Sequence, residues 1–130
     1  IELASNKNRS KLLRTVLSNS DLSKYDYIFF DCPPSLNVLT VNALIAADSL
    51  VIPLQSEFFA LEGLSQLLMS VREVRGLGNP ALRIEGVALT MFDGRNRLSL
   101  QVEADARENL GELVFKTMIP RNVRISEAPS

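Results

Sequence analysis

The sequence predicts an α/β fold in which a parallel sheet is flanked by helices on both faces. Short apolar runs alternate along the chain with longer segments whose apolar residues recur at helical spacing. The run Tyr27–Phe30 has no polar break, which is typical of a strand buried on both sides of a covered sheet. Alternation of this kind nearly always means parallel strands joined by right-handed crossovers.

The first half of the chain contains one predicted strand between two predicted helices. Apolar residues at helical spacing, with cations between them, predict a helix over about Asn8–Ser18. The strand Tyr27–Asp31 follows, and we expect it in an interior position of the sheet because its run of apolar residues is unbroken. The next predicted helix is Leu36–Ala47, with Ser35 as its cap.

The chain from Ser49 onward contains three more predicted strands, with a helix between each strand and the next. The strands are Ser49–Leu54, ended by Pro53, then Arg83–Met91 and Val114–Ile119. The helices are Leu61–Val74, stopped near Gly76, and Leu98–Leu110, closed by Gly111. An α/β sheet needs its first strand near the middle, so we expect the chain to be the back portion of a larger domain.

The composition excludes several classes of site. Hydrophobic residues make up 46% of the 130 residues, which is ample for a core, and charged residues make up 22%. The net charge is −1, so any binding of nucleic acid must come from a local patch. The chain has no histidine, which excludes histidine catalysis and histidine metal ligands within it. A single cysteine, Cys32, excludes an intrachain disulfide.

Asp31 is the first candidate for a binding residue. It follows a buried apolar strand directly, and ligands of open α/β sheets bind at the carboxyl ends of the strands. Four apolar residues and then an acid form the Walker B pattern, in which the acid holds Mg²⁺, usually through a water. The alternative is a strand-terminal aspartate that only caps the following turn.

Three segments carry a resemblance to a known family. They are YDYIFFDCPPSLNVLTVNALIAADSLVIPLQSEFFALEGLSQLL, LTMFDGRNRLSLQV and FKTMIPRNVRISEAPS. Together they closely resemble the ParA/Soj chromosome- and plasmid-partitioning ATPases, over nearly the whole chain from about Glu2. The resemblance implies a P-loop NTPase-like fold and an ATPase that dimerises around ATP. It also implies non-specific binding of duplex DNA, stimulation by a ParB-type centromere-binding partner, and a cytoplasmic, nucleoid-associated location without membrane binding.

One departure from the family pattern changes what we expect of this chain. The family's phosphate-binding loop and switch acid lie upstream of the matching region, and no glycine-lysine pair occurs in these 130 residues. We therefore expect residues 1–130 to be the C-terminal part of a single ParA-type domain, with a sheet that is incomplete because the N-terminal part is missing. On its own, this chain should have no catalytic residue and no ATP turnover.

The resemblance also implies roles for particular residues towards ATP and Mg²⁺. Asp31 would hold Mg²⁺ through a water, and the switch II segment would be Cys32, Pro33 and Pro34. The adenine would be contacted by Met91, Pro120 and Asn122. Without the resemblance, the Pro-Arg-Asn sequence reads as a turn.

Two arginines are candidates for contacts to DNA. Arg95 and Arg124 follow strand ends, and neither has an obvious acidic partner at helical spacing. The resemblance is consistent with a role on the DNA backbone, whereas the plainer interpretation is a solvated surface charge. We expect Asn96, between them, to be nearly silent in DNA binding.

Two other functions are compatible with the same pattern. A MinD-like ATPase binds membrane instead of DNA, through a C-terminal amphipathic helix. A non-catalytic interaction domain that has lost its P-loop is the other alternative. The segment IPRNVRISEAPS and the loop arginines favour the partitioning branch.

Overall fold

The computed structural model describes residues 10–33, 37–57, 59–122, 124 and 127. The helices are α1 (Leu12–Ser18), α2 (Val38–Ala46), α3 (Ala60–Leu77) and α4 (Arg97–Leu110), with a short 3-10 helix at Gly111–Leu113. The strands are β1 (Ser49–Gln55) and β2 (Arg83–Thr90).

Two compact units make up the chain. The first contains Ile1–Ser49 and Leu68–Arg83, and the second contains Leu50–Leu67 and Ile84–Ser130. That residues 1–130 belong to one domain stays a prediction.

The two strands pair in parallel. The N–H of Arg83 donates to the carbonyl of Asp48 at 3.3 Å, and the N–H of Ser56 donates to the carbonyl of Thr90 at 3.2 Å. Residue numbers therefore rise together along both strands, as only a parallel ladder allows. The predicted parallel sheet flanked by helices is confirmed.

The other side of β2 is paired by the segment after α4. Val114 bridges Val87 and Pro120 bridges Phe92, both in parallel register. Between these bridges, the N–H of Ile119 donates to the carbonyl of Leu89 at 2.8 Å. The predicted strand Val114–Ile119 is therefore wrong as a strand: Val114 alone forms a bridge to β2, and single hydrogen bonds replace a continuous ladder.

Pro53 lies inside β1 and does not end it, so that expectation is wrong. Ser56 donates its N–H to β2, and alternate residues of a parallel strand face the same neighbour. Pro53 is three residues earlier, so its backbone nitrogen and carbonyl face the side of β1 that is away from β2. Its missing N–H removes no bond to β2 at that position.

The predicted interior strand Tyr27–Asp31 is also wrong. These residues form neither helix nor strand, and the side chains of Tyr27 and Phe29 are 80% and 86% exposed. A strand buried on both faces needs hydrogen-bonded neighbours and apolar cover. In the part of the chain that the structure describes, β1, β2 and the bridges to β2 pair only with one another. The apolar run therefore lacks the neighbours that would make it a strand.

The helix boundaries follow from local capping. The Asn37 side chain caps α2 by accepting the N–H groups of Leu39 at 2.9 Å and Thr40 at 3.1 Å. The predicted cap, Ser35, lies outside the described residues, as does the start of the helix predicted from Asn8. Gly111 closes α4 with φ of 55°, a left-handed conformation that glycine adopts without strain.

Each unit has its own buried apolar residues. In the first unit they include Ile45 of α2, Val71 and Val74 of α3, and Leu82. In the second unit they include Val87 and Leu89 of β2, Val102 and Ala106 of α4, and Val114. Val102 and Ala106 are four residues apart, so they lie on one helix face, as the sequence spacing predicts.

Gly86 of β2 is covered by the ring of Phe115. A Cβ added to Gly86 would lie 2.6 Å from Cζ of Phe115 and closer still to its Cε1. We expect Gly86→Ala to destabilise the fold by about 1–3 kcal/mol, the usual effect of overpacking, measured by urea unfolding. Gly63→Ala is the matched control, since nothing lies within 4 Å of its added Cβ, and it should stabilise α3. Equal stability of the two variants would contradict this packing.

Candidate functional site

The carboxyl ends of β1 and β2 lie together in the second unit. Ser56, directly after β1, is buried, and its Oγ donates to the carbonyl of Thr90 at 3.3 Å in addition to the bond from its N–H. This double link ties the end of β1 to the end of β2. The loops that leave this edge occupy the place where open α/β sheets bind ligands.

Met91 turns the chain at the end of β2. Its φ is 54°, and it is the one non-glycine residue with positive φ among the described residues. The left-handed region costs an L-residue about 1–2 kcal/mol, and such strain concentrates at functional sites. This turn also explains why β2 ends at Thr90, one residue before the predicted end.

The turn at Met91 brings two predicted adenine contacts into neighbouring loops. The N–H of Phe92 donates to the carbonyl of Ile119 at 3.1 Å, and the N–H of Arg121 donates back to the carbonyl of Phe92 at 3.0 Å. Met91 therefore lies next to Phe92, and Pro120 lies between the two residues that are hydrogen-bonded to Phe92. The side chains of Met91 and Pro120 are exposed at this edge.

Asn122 takes part in a turn. Its Oδ1 accepts the N–H of Arg124 at 2.9 Å, which is an Asx-type turn. This bond lies after Pro-Arg-Asn, whereas Pro120 bridges Phe92 and Arg121 donates its N–H to the Phe92 carbonyl, so the interpretation of Pro-Arg-Asn itself as a turn is not confirmed. The contact of Asn122 with an adenine stays a prediction.

The residues predicted to serve the metal and the switch belong to the first unit. Asp31, Cys32 and Pro33 are exposed and lie outside helices and strands, and Pro34 lies outside the described residues. Within the described ranges, no three acids or thiols group together to hold a metal. Mg²⁺ in phosphate sites is often held by one or two carboxylates, with phosphates and waters as the other ligands. A single exposed carboxylate at Asp31 fits that mode, and its role stays a prediction.

Asp93 was not predicted from the sequence, yet it organises the loop that carries Arg95. Its Oδ1 accepts the N–H and the Nε–H of Arg95, both at 3.0 Å, and its Oδ2 accepts from Nη2 at 3.0 Å. The carbonyl of Asp93 accepts the N–H of Asn96 at 2.9 Å, which closes a β-turn. The sequence Asp-Gly-Arg could have predicted this turn, because aspartate favours the first position of β-turns.

The electrostatics of this loop follow from these contacts. The hydrogen bonds from Arg95 hold the pKa of Asp93 below its usual value, and the charge of Arg121 acts in the same direction. The hydrogen bond to Asp93 raises the pKa of Arg95 in turn. Arg95 thus has an acidic partner two residues earlier, a spacing that a search at helical intervals misses. Arg124, the other predicted DNA contact, is exposed.

Asn96 is the N-cap of α4. Its Oδ1 accepts the N–H of Leu98 at 2.9 Å. We expect Asn96→Ala to lower the free energy of unfolding by about 1 kcal/mol, the usual loss for a removed cap, and Asn96→Asp to preserve it. Thermal unfolding measures both variants, and an Asn96→Ala protein as stable as the parent would contradict the cap. The expectation that Asn96 is nearly silent in DNA binding is separate and stays a prediction.

Comparison with known proteins identifies a family profile and several proteins that this chain is similar to. The profile of the family described as "AAA domain" matches residues 1–84. The chain is 56% identical over 131 positions to the chromosome partitioning protein ParA of Caulobacter vibrioides, covering 100% of this chain and 49% of that protein. It is 53% identical over 130 positions to the sporulation initiation inhibitor protein Soj of Bacillus subtilis, covering 100% of this chain and 51% of that protein.

A solved structure shows the same fold. The crystal structure of cobyrinic acid a,c-diamide synthase from Mycobacterium smegmatis, with bound ADP and magnesium, has a TM-score of 0.81 and 36% identity to this chain. The match covers 93% of this chain and 49% of that one. The chain therefore spans about half the length of each of these relatives.

Proposed function

Because this chain belongs to the ParA/Soj family of chromosome-partitioning ATPases, we propose that it serves DNA segregation as part of an ATP-dependent molecular switch. In this proposal the full-length protein binds ATP and Mg²⁺, dimerises, and in that state binds duplex DNA of any sequence. A ParB-type centromere-binding protein stimulates its hydrolysis, and it acts in the cytoplasm on the nucleoid. The observation that carries the proposal is 56% identity to a ParA along 100% of this chain.

The nucleotide half of the proposal assigns roles at the carboxyl edge of the sheet and at Asp31. Met91 and Pro120 would pack on the adenine, with Asn122 as a hydrogen-bonding partner. Support for this comes from the paired loops after β2 and before Arg121, and from the strained backbone at Met91. Asp31 would hold Mg²⁺ through a water, and Cys32–Pro34 would respond to the γ-phosphate.

The 130-residue chain alone should neither bind ATP tightly nor hydrolyse it. Most triphosphate affinity in P-loop proteins comes from backbone N–H groups and a lysine of the phosphate loop, and this sequence contains no glycine-lysine pair. We expect calorimetry to detect no saturable binding at micromolar ATP. Micromolar affinity in this chain would mean that the phosphate site is misplaced.

The DNA half of the proposal is tested against its membrane-binding alternative. A protein of full family length that carries this sequence is mixed, with and without ATP, with duplex DNA or with anionic liposomes. We expect ATP-dependent retention on DNA and none on liposomes. Among the described helices, none is long and apolar enough to cross a bilayer. Retention on liposomes alone would favour the MinD-like alternative, and retention on neither would favour the non-catalytic interaction domain.

A further inference from the structure

We propose that Asp93 is a positioning residue that presents Arg95 to a DNA phosphate. The proposal rests on the DNA-binding function proposed above and assigns Asp93 a part in it. The supporting observation is the geometry of the contact between the Asp93 carboxylate and the Arg95 guanidinium. The carboxylate takes the Nε and Nη2 edge of the guanidinium in a two-point contact, and it also holds the backbone N–H of Arg95.

This contact leaves the outer edge of the guanidinium for a second anion. A guanidinium has five N–H donors in a planar fork, and the pair with Asp93 uses two of them. The remaining donors include both N–H groups of Nη1, and the Arg95 side chain is 92% exposed. Their fixed fork geometry suits two-point binding of a phosphate.

The loop behind Arg95 is anchored to the sheet, so the guanidinium is held relative to the fold. Asp93 follows Phe92, which is hydrogen-bonded to the segment of Ile119 and Arg121 on both its N–H and its carbonyl. The turn from Asp93 then runs into Asn96, the cap of α4. An arginine side chain that is already held in this way loses less conformational freedom when it binds a phosphate than a mobile one does.

The negative charge of Asp93 also repels the phosphate, which opposes the gain from positioning Arg95. A carboxylate about 8 Å from a phosphate in water weakens binding by roughly twofold, and salt reduces this further. Ordering a free long side chain on binding weakens binding by roughly 2- to 12-fold. Over most of this range the gain from positioning outweighs the repulsion, which physiological salt screens further.

The test is Asp93→Asn in a protein of full family length. Asparagine keeps an oxygen that can accept the N–H of Arg95, so the turn is retained, while the two-point contact with the guanidinium is lost. We expect binding to a random-sequence duplex to weaken by about threefold and the log–log salt slope to become less steep, although the protein becomes more positive. Glu108→Gln is the matched control, because it removes the same negative charge at an exposed position of α4 and should not weaken binding.

A double-mutant cycle with Arg95→Ala separates the possible outcomes. If Asp93 acts through Arg95, Asp93→Asn weakens binding in the parent and not in the Arg95→Ala background. ATP-dependent dimerisation and thermal stability, measured on each variant, should be unchanged by Asp93→Asn. Equal or tighter DNA binding by Asp93→Asn, with Arg95→Ala still weakened, overturns the positioning role alone. Parent-like binding by Arg95→Ala overturns the placement of Arg95 on DNA as well.

Discussion

Asp31→Ala, in a protein of full family length that carries this sequence, is expected to slow Mg²⁺-dependent ATP hydrolysis by about 10- to 100-fold. This is the usual effect of removing a group that orients a metal's ligands. In the proposed role the carboxylate acts on the metal and its waters, whereas loop amides and a lysine hold the phosphates. Nucleotide binding should therefore weaken much less than turnover does.

The measurement pairs steady-state hydrolysis over a range of Mg²⁺ with nucleotide affinity in the presence and absence of the metal. Asp26→Ala is the matched control, because Asp26 is also an exposed acid outside helices and strands in the first unit. It should hydrolyse ATP like the parent. If Asp31→Ala lowered nucleotide affinity equally with and without Mg²⁺, the metal role would be wrong.

The second large effect concerns DNA. In the same protein, Arg95→Ala and Arg124→Ala should each weaken binding to duplex DNA of any sequence and leave ATP-dependent dimerisation intact. A dimer makes each contact twice, so one lost contact per subunit should flatten the log–log salt dependence by roughly two units, at about 0.9 per phosphate. At 0.15 M salt this corresponds to about 30-fold weaker binding. No base preference should appear, since phosphate contacts carry no sequence information.

Arg72→Ala provides the control for this experiment, because Arg72 is an exposed cation of α3 far along the sequence from both loops. Its removal should change the salt slope little. If both loop variants bind DNA like the parent with an unchanged slope, the basic patch lies elsewhere. Helix α1, which contains Arg14 and begins directly after Lys11, would then be the next candidate.

The sequence predicts the chain from Ser49 onward more closely than the part before it. Both strands β1 and β2 begin at the predicted residue, because short apolar runs flanked by polar turns are a local signal. Helix α4 ends at Leu110 as predicted, because Gly111 ends it through its own backbone conformation. Features that a few neighbouring residues determine can be predicted from those residues.

The errors have a different origin. An unbroken apolar run indicates burial, but burial of Tyr27–Asp31 depends on neighbouring strands, which the run itself does not specify. The effect of Pro53 depends on which way its missing N–H faces in the ladder. The pair of Asp93 and Arg95 forms through a turn, whose spacing differs from the helical one. Each of these depends on partners beyond the local pattern.

The exposed run around Tyr27 has a spectroscopic consequence. The chain has no tryptophan and two tyrosines, Tyr25 and Tyr27, which lie two residues apart. Both are exposed, at 56% and 80%. Nearly all intrinsic ultraviolet emission of the chain therefore originates in one short segment, in which most apolar side chains are exposed. Any neighbour that docks there changes the surroundings of both phenols, so the protein carries an unlabelled optical reporter at that position.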